Sequence, residues 1–174
     1  MEHEDRVVGW EAKIDEWGFT NIAVSGGGGE PDHTYTAGLF HHDHPEFVIV
    51  GAPPQLAHNL LWDLASAVAR SGMRFGDGTV VHRLASAPMG IITADERPDG
   101  LVAVADRLRQ RAGVPGPSDV LQVLFPDPDG VLPWGRADDH LGFPIFTRPR
   151  PVAMREIDLP DRATRDADGW YVDR

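Results

Sequence analysis

The stretch Thr34–Gly51 (TYTAGLFHHDHPEFVIVG) restricts the fold more than any other part of the chain. Residues 34–40 are rich in β-branched and aromatic side chains, and residues 46–51 form a short apolar run. Both compositions suit strands. The five residues between them, His41, His42, Asp43, His44 and Pro45, bring more proton carriers and potential metal ligands together than any other segment of similar length. The pattern reads as two strands joined by a loop full of ionisable groups.

The remaining chain supplies partners for this pair. Val7, Trp10, Ile14 and Trp17 recur at spacings of three and four, so a helix is expected over residues 5–17, with Gly18 ending it. Residues 19–24 read as a strand running into Gly26–Gly29. That glycine run is a hairpin connection rather than a phosphate loop, because a strand follows it and no Gly-Lys-Ser/Thr ending is present. After the central pair, Leu56, Leu60, Leu64 and Val68 mark an amphipathic helix beginning at Pro53 or Pro54 and closed by Gly72, with His58 on its solvated side. Two short strands follow at 79–84 and 89–93. A second amphipathic helix runs from Leu101 to Ala112, with Arg107, Arg109 and Arg111 on its wet sides. Residues 120–125 read as a buried strand, and residues 126–130 (PDPDG) as a sharp turn.

Strands broken by helices without regular β-α-β alternation predict an α+β fold, with a mainly antiparallel sheet packed by two or three amphipathic helices. Residues 1–147 are expected to form one domain. Residues 148–174 are charged and mostly polar, and are expected to lie on the surface or be disordered, with Trp170 and Tyr171 docking back.

Composition narrows the function classes. The chain has 27 acidic and 16 basic residues, a net charge of -11, which disfavours nucleic acid as a partner. The absence of cysteine rules out disulfides and thiolate metal sites. No signal-peptide pattern is present, and no apolar run approaches the roughly 20 residues that span a bilayer. A cytoplasmic protein without a membrane partner is the expectation.

Two blocks carry a family resemblance. The first is Tyr35-Thr36-Ala37-Gly38-Leu39 with His44-Pro45-Glu46-Phe47-Val48-Ile49-Val50-Gly51. The second is Gln122-Val123-Leu124-Phe125-Pro126-Asp127 followed by Gly130 and Pro133-Trp134. Over roughly Trp10 to Trp134 the chain resembles the bacterial DUF4262 family, whose function is unknown. The resemblance implies a small domain and brings no activity across.

The chemistry is therefore weighed residue by residue. Pro45 restricts its own φ and biases His44 toward an extended backbone. His44 and Glu46 thus become the catalytic candidates, with Glu46 either tuning the imidazole by its charge or acting as a general base itself. The alternative is that the two only tie down the loop. Gly38 inside a strand suggests a bulge or the close approach of a ligand or neighbouring backbone. Gln122 on a buried strand needs partners, either a ligand or the Tyr35 hydroxyl. Tyr35, Gly38, Gln122, Asp127 and Trp134 complete a candidate ligand-binding set, with core packing as the rival role for Tyr35 and Trp134 and a tight turn as that for Asp127. No metal site is favoured; the alternative uses His42, His44 and Glu46, with His41 nearby. No serine carries a nucleophile-elbow signature.

The expected function is a small-molecule-binding or enzymatic pocket at the Tyr35–Glu46 strand pair. The alternatives are an immunity-type or regulatory protein-interaction module and a metal-dependent hydrolase. The sequence assigns no cofactor and leaves the oligomeric state open.

Overall fold

The computed structural model describes residues 2–148 and 150–170. They form an α+β fold around a seven-stranded mixed sheet, mostly antiparallel, with four helices among the described residues. The helices are α1 (Glu2–Trp17), α2 (Pro54–Ser71), α3 (Ala103–Arg111) and α4 (Arg162–Ala167). The strands are β1 (Thr20–Val24), β2 (His33–Ala37), β3 (Glu46–Val50), β4 (Thr79–His82), β5 (Met89–Thr93), β6 (Val120–Leu124) and β7 (Arg155–Asp158). Their order across the sheet is β1-β2-β3-β6-β5-β4-β7. The pairs β3–β6 and β4–β7 are parallel and the others antiparallel. Among the described residues no helix is long and apolar enough to cross a membrane.

The twofold alternation of strand side chains decides which helices meet which face. Phe47 and Ile49 of β3 and Leu121 and Val123 of β6 point to the α2 side, where they join Leu60, Leu61, Leu64 and Val68. Val48 and Val50, with Tyr35 and Ala37 of β2, point the other way, against Val7 and Ile14 of α1 and Ala105 and Leu108 of α3. Each face is thus covered by apolar stripes. Beyond α3 that second face carries Ile92 and Leu124, covered by Ile145, Trp134 and Val152 rather than by a helix. The glycine run joins β1 to β2 as a hairpin, with Gly28 and Gly29 at φ of 64° and 92°.

Several expectations are corrected. The strand expected over residues 34–40 stops at Ala37. Gly38 has φ of 109°, and Leu39–His42 form a 3-10 turn. Leu56 is 43% exposed, because the buried face of the helix starts at Ala57 and continues through Leu60, Leu61, Leu64 and Val68. His58 is not a solvated surface group: it is half-buried, pairs with Asn21 Nδ2 through Nδ1 at 3.3 Å and packs on Trp62.

Described residues after 147 add to the sheet and to the core. β7 pairs with β4 at the sheet edge, Leu159 is buried and α4 lies on α2. Arg165 Nη1 donates to Asp63 Oδ2 at 3.0 Å, and Trp62 Nε1 donates to the Trp170 carbonyl at 2.6 Å. Trp170 is 0% exposed and belongs to the α2-side core. Tyr171, also expected to dock back, lies outside the described residues.

Candidate functional site

The 3-10 turn and the start of β3 are held together by one carboxylate. Glu46 is 1% exposed. Thr36 Oγ1 donates to its Oε2 at 2.7 Å, and the backbone N–H groups of Gly38 and Leu39 donate to its Oε1 at 2.8 and 2.9 Å. The Phe40 backbone also bonds to it. The left-handed φ of Gly38 turns these successive N–H groups toward a single acceptor, a concavity suited to an anion. A Cβ at Gly38 would meet the Ile14 side chain at 3.0 Å. The close approach read from this glycine is therefore made by α1. Burial pushes the Glu46 carboxyl up to about 7, against the hydrogen bonds that favour its ionised form.

His44, 5% exposed, is fixed at both ring nitrogens. Its Nδ1–H donates to the Pro45 carbonyl at 2.7 Å, and its Nε2 accepts from the Phe75 N–H at 3.1 Å. That pair of partners defines a neutral ring with the proton on Nδ1. The ring packs against Phe47 and Phe75, and burial lowers its pKa. With both nitrogens engaged, His44 has no free position for a substrate proton or a metal. His42 Nε2 bonds to the Gly18 carbonyl at 3.1 Å. In the alternative set His42, His44 and Glu46, both ring nitrogens of His44, both carboxylate oxygens of Glu46 and Nε2 of His42 are engaged by protein groups. Among the described residues no group of three His, Asp or Glu side chains is arranged to hold a metal ion.

His44 and Glu46 nevertheless border the same cavity, of about 140 Å³. Three segments line it: Phe40 and residues 43–46 from the turn and the start of β3, Arg109 from α3, and Ser118 and Asp119 from the approach to β6. Parallel pairing brings these segments together, because it sets the first residues of β3 and β6 side by side; Glu46 N donates to the Asp119 carbonyl at 2.9 Å. Arg109 Nη2 makes a long contact of 3.4 Å to the Pro115 carbonyl, and Arg109 Nε is buried with no hydrogen-bond partner. Ser118 is 5% exposed and its Oγ is also unpartnered. Among the described residues, Arg109 forms no ion pair.

The other sequence candidates lie elsewhere. Gln122 spans the coil over the second sheet face: its Nε2 donates to the Pro144 carbonyl at 2.9 Å, and its Oε1 accepts from Phe146 N at 2.8 Å. It touches neither the cavity nor the Tyr35 hydroxyl. Tyr35 is 2% exposed, and its hydroxyl accepts from Val104 N at 3.2 Å in the first turn of α3. Burial raises its pKa to about 12, so it stays protonated. Asp127 organises the turn after β6, accepting from the N–H groups of Asp129 and Val131, both at 2.9 Å. Trp134 packs over Gly90, where a Cβ would lie 2.7 Å from its ring. The three side chains expected to converge, His44, Glu46 and Gln122, do not: the first two share a cavity and the third holds a distant coil.

Arg109 and Ser118 are not singled out by the sequence. A mainly antiparallel arrangement does not bring the start of the 120–125 strand beside Glu46, and an arginine on an amphipathic helix reads as solvated. The signal that bears on them is the run Val120–Leu124, apolar at four of its five positions, which suits a central parallel strand.

A protein-family model described as a domain of unknown function (DUF4262) matches residues 13–138. No curated protein and no solved structure matched the chain.

Proposed function

The chain belongs to the DUF4262 family, and from that starting point we propose that it binds a small polar molecule in the cavity between the 3-10 turn, α3 and the approach to β6. The observation that carries this reading is Arg109. A guanidinium that forms no ion pair among the described residues stands in the wall of a partly open pocket, beside Asp43, Glu46 and Asp119. A guanidinium that no carboxylate neutralises is a ready partner for an acceptor-bearing ligand in the pocket it lines. Glu46 supports the reading as a buried carboxyl at the same cavity whose ionisation is balanced near neutrality.

Binding is favoured over catalysis. Among the described residues, the one imidazole on the cavity has both nitrogens committed, and the Glu46 oxygens are taken up by the turn. The protein-interaction alternative would rest on exposed apolar side chains, of which Leu56 and Leu141 share one groove with Pro53, Phe125 and Phe143, while Val8, Val131 and Met154 do not line it.

Thermal unfolding in the presence of a mixture of small polar metabolites tests the proposal. Wild type should gain stability by mass action, and Arg109→Met should lose that gain while still folding cooperatively. Equal responses from the two proteins would refute it.

A further inference from the structure

We infer that a second site, the cleft between α1, the start of β1 and α2, binds an aromatic carboxylate, its ring against Trp17 and Trp62 and its carboxylate on the Lys13 ammonium. The cleft shares no lining residue with the cavity beside Glu46, so this inference stands apart from the reading above.

Two helical pairs and one turn build the cleft. Lys13 and Trp17 are four residues apart on α1, and His58 and Trp62 are four apart on α2; that spacing puts the members of each pair on one helix face. Gly18, at φ of 84°, ends α1, and the chain enters β1 at once through Phe19, Thr20 and Asn21. Asn21 Nδ2 donates to the His58 carbonyl at 3.2 Å, which ties the strand to α2. The side chains of both helices and the strand then line the same cleft.

Its wall is aromatic. Trp62 stands at the centre, with the Trp17 and Phe19 rings at centroid distances of 5.7 and 5.0 Å. Phe19 and Trp62 are buried in the core, and Trp17 is half-buried. Rings anchored in this way keep their positions, and a flat guest gains offset or edge-on contact with them.

The charge in the cleft has one sign. Lys13 is the only lysine in the chain and the only ionised side chain in the lining, to which no carboxylate contributes. Among the described residues it forms no ion pair, although Glu16 stands three positions further along α1. A second cation, Arg70, lies over the Trp17 ring at 5.4 Å and is likewise unpaired among the described residues. On a chain with a net charge of -11 this is a local reversal. A neutral aromatic molecule would use the rings and leave the ammonium idle. A small inorganic or aliphatic anion would do the opposite. A carboxylate on an aromatic ring uses both.

The test is a titration of the full-length ¹⁵N-labelled chain with benzoate, and separately with benzyl alcohol and with acetate, followed by ¹H–¹⁵N spectra. Benzoate should shift the indole N–H signals of Trp17 and Trp62 and the amides of residues 13, 17–21 and 58, saturably. The indole signal of Trp134, which packs elsewhere against Ile92 and Leu124, should stay in place. Benzyl alcohol keeps the ring and acetate keeps the charge, and each should bind about tenfold more weakly. Lys13 is exposed, so Lys13→Met should keep the urea midpoint of wild type while benzoate affinity falls about tenfold. Lys13→Arg retains the charge and should hold affinity within about threefold. Acetate or benzyl alcohol binding as well as benzoate would overturn the assignment. So would equal benzoate affinity in Lys13→Met and wild type, or the absence of a saturable shift at the two indoles, which would leave the rings as core packing and Lys13 as a solvated side chain.

Discussion

Glu46 and His44 sit two residues apart, yet their ionisation pulls stability in opposite directions. Glu46 has a folded pKa raised from 4.5 to about 7. The native state therefore holds its proton more tightly than the unfolded chain does, and the associated stability is full below the unfolded value and lost as pH rises toward 7. His44 has a lowered folded pKa. Its contribution is present above the unfolded value of 6.5 and lost as pH falls below it. Over the acid side of neutrality the two slopes offset each other. Glu46→Gln retains an Oε1 for the Gly38 and Leu39 N–H groups and removes one of the two slopes. Compared with wild type by urea unfolding from about pH 4.5 to 8, it should gain relative stability as pH rises, on the order of 3 kcal/mol across that range. A constant difference would mean that Glu46 ionises in the folded protein as it does in water. The adjacency of these residues is legible in the sequence, and so is the option that they tie down the loop. Which atoms engage which is not, because the partners Thr36, Gly38 and Phe75 are chosen by the turn and the packing around it.

At the scale of elements, the strands and the two longer amphipathic helices follow directly from periodicity, since their apolar repeats match the faces that the sheet buries. The coil over Ile92 and Leu124 does not. It has no repeat to read, and it is fixed by single contacts such as the Gln122 side chain bridging Pro144 and Phe146. Gln122 reads as a buried amide in want of partners; that those partners are backbone groups more than twenty residues downstream is a matter of tertiary structure. Gln122→Leu should leave the sheet intact but orphan the Phe146 N–H and the Pro144 carbonyl, costing about 2–3 kcal/mol. Hydrogen exchange should rise in peptides covering residues 143–147 well before it rises in α2. Equal acceleration in both would show that the coil has no independent opening. The parallel β3–β6 pair is the other feature that local pattern misses. Pairing direction depends on which segments meet, and the chain between these two strands is long enough to allow either.

The whole molecule includes more chain than the stretch that matches the family. The match ends at residue 138, whereas β7, α4 and Trp170 lie beyond it. The composition of this segment reads as polar, and most of it is exposed, but composition cannot announce that Arg165 meets Asp63, 102 residues earlier, or that one tryptophan enters the core beside α2. Trp170→Ala should therefore behave as a core truncation, lowering stability by about 3–5 kcal/mol in urea unfolding. A loss below about 1 kcal/mol would indicate that the segment rests on the surface without completing the core.

That same tryptophan orders events during synthesis. Trp62 and Trp170 are separated by 108 positions, so a ribosome working at ordinary speed releases the second roughly 5 to 20 s after the first. Through that interval Trp62 has Trp17 and Phe19 against it but the place of Trp170 stays bare, and a nascent polypeptide in that condition is a natural client for holding factors.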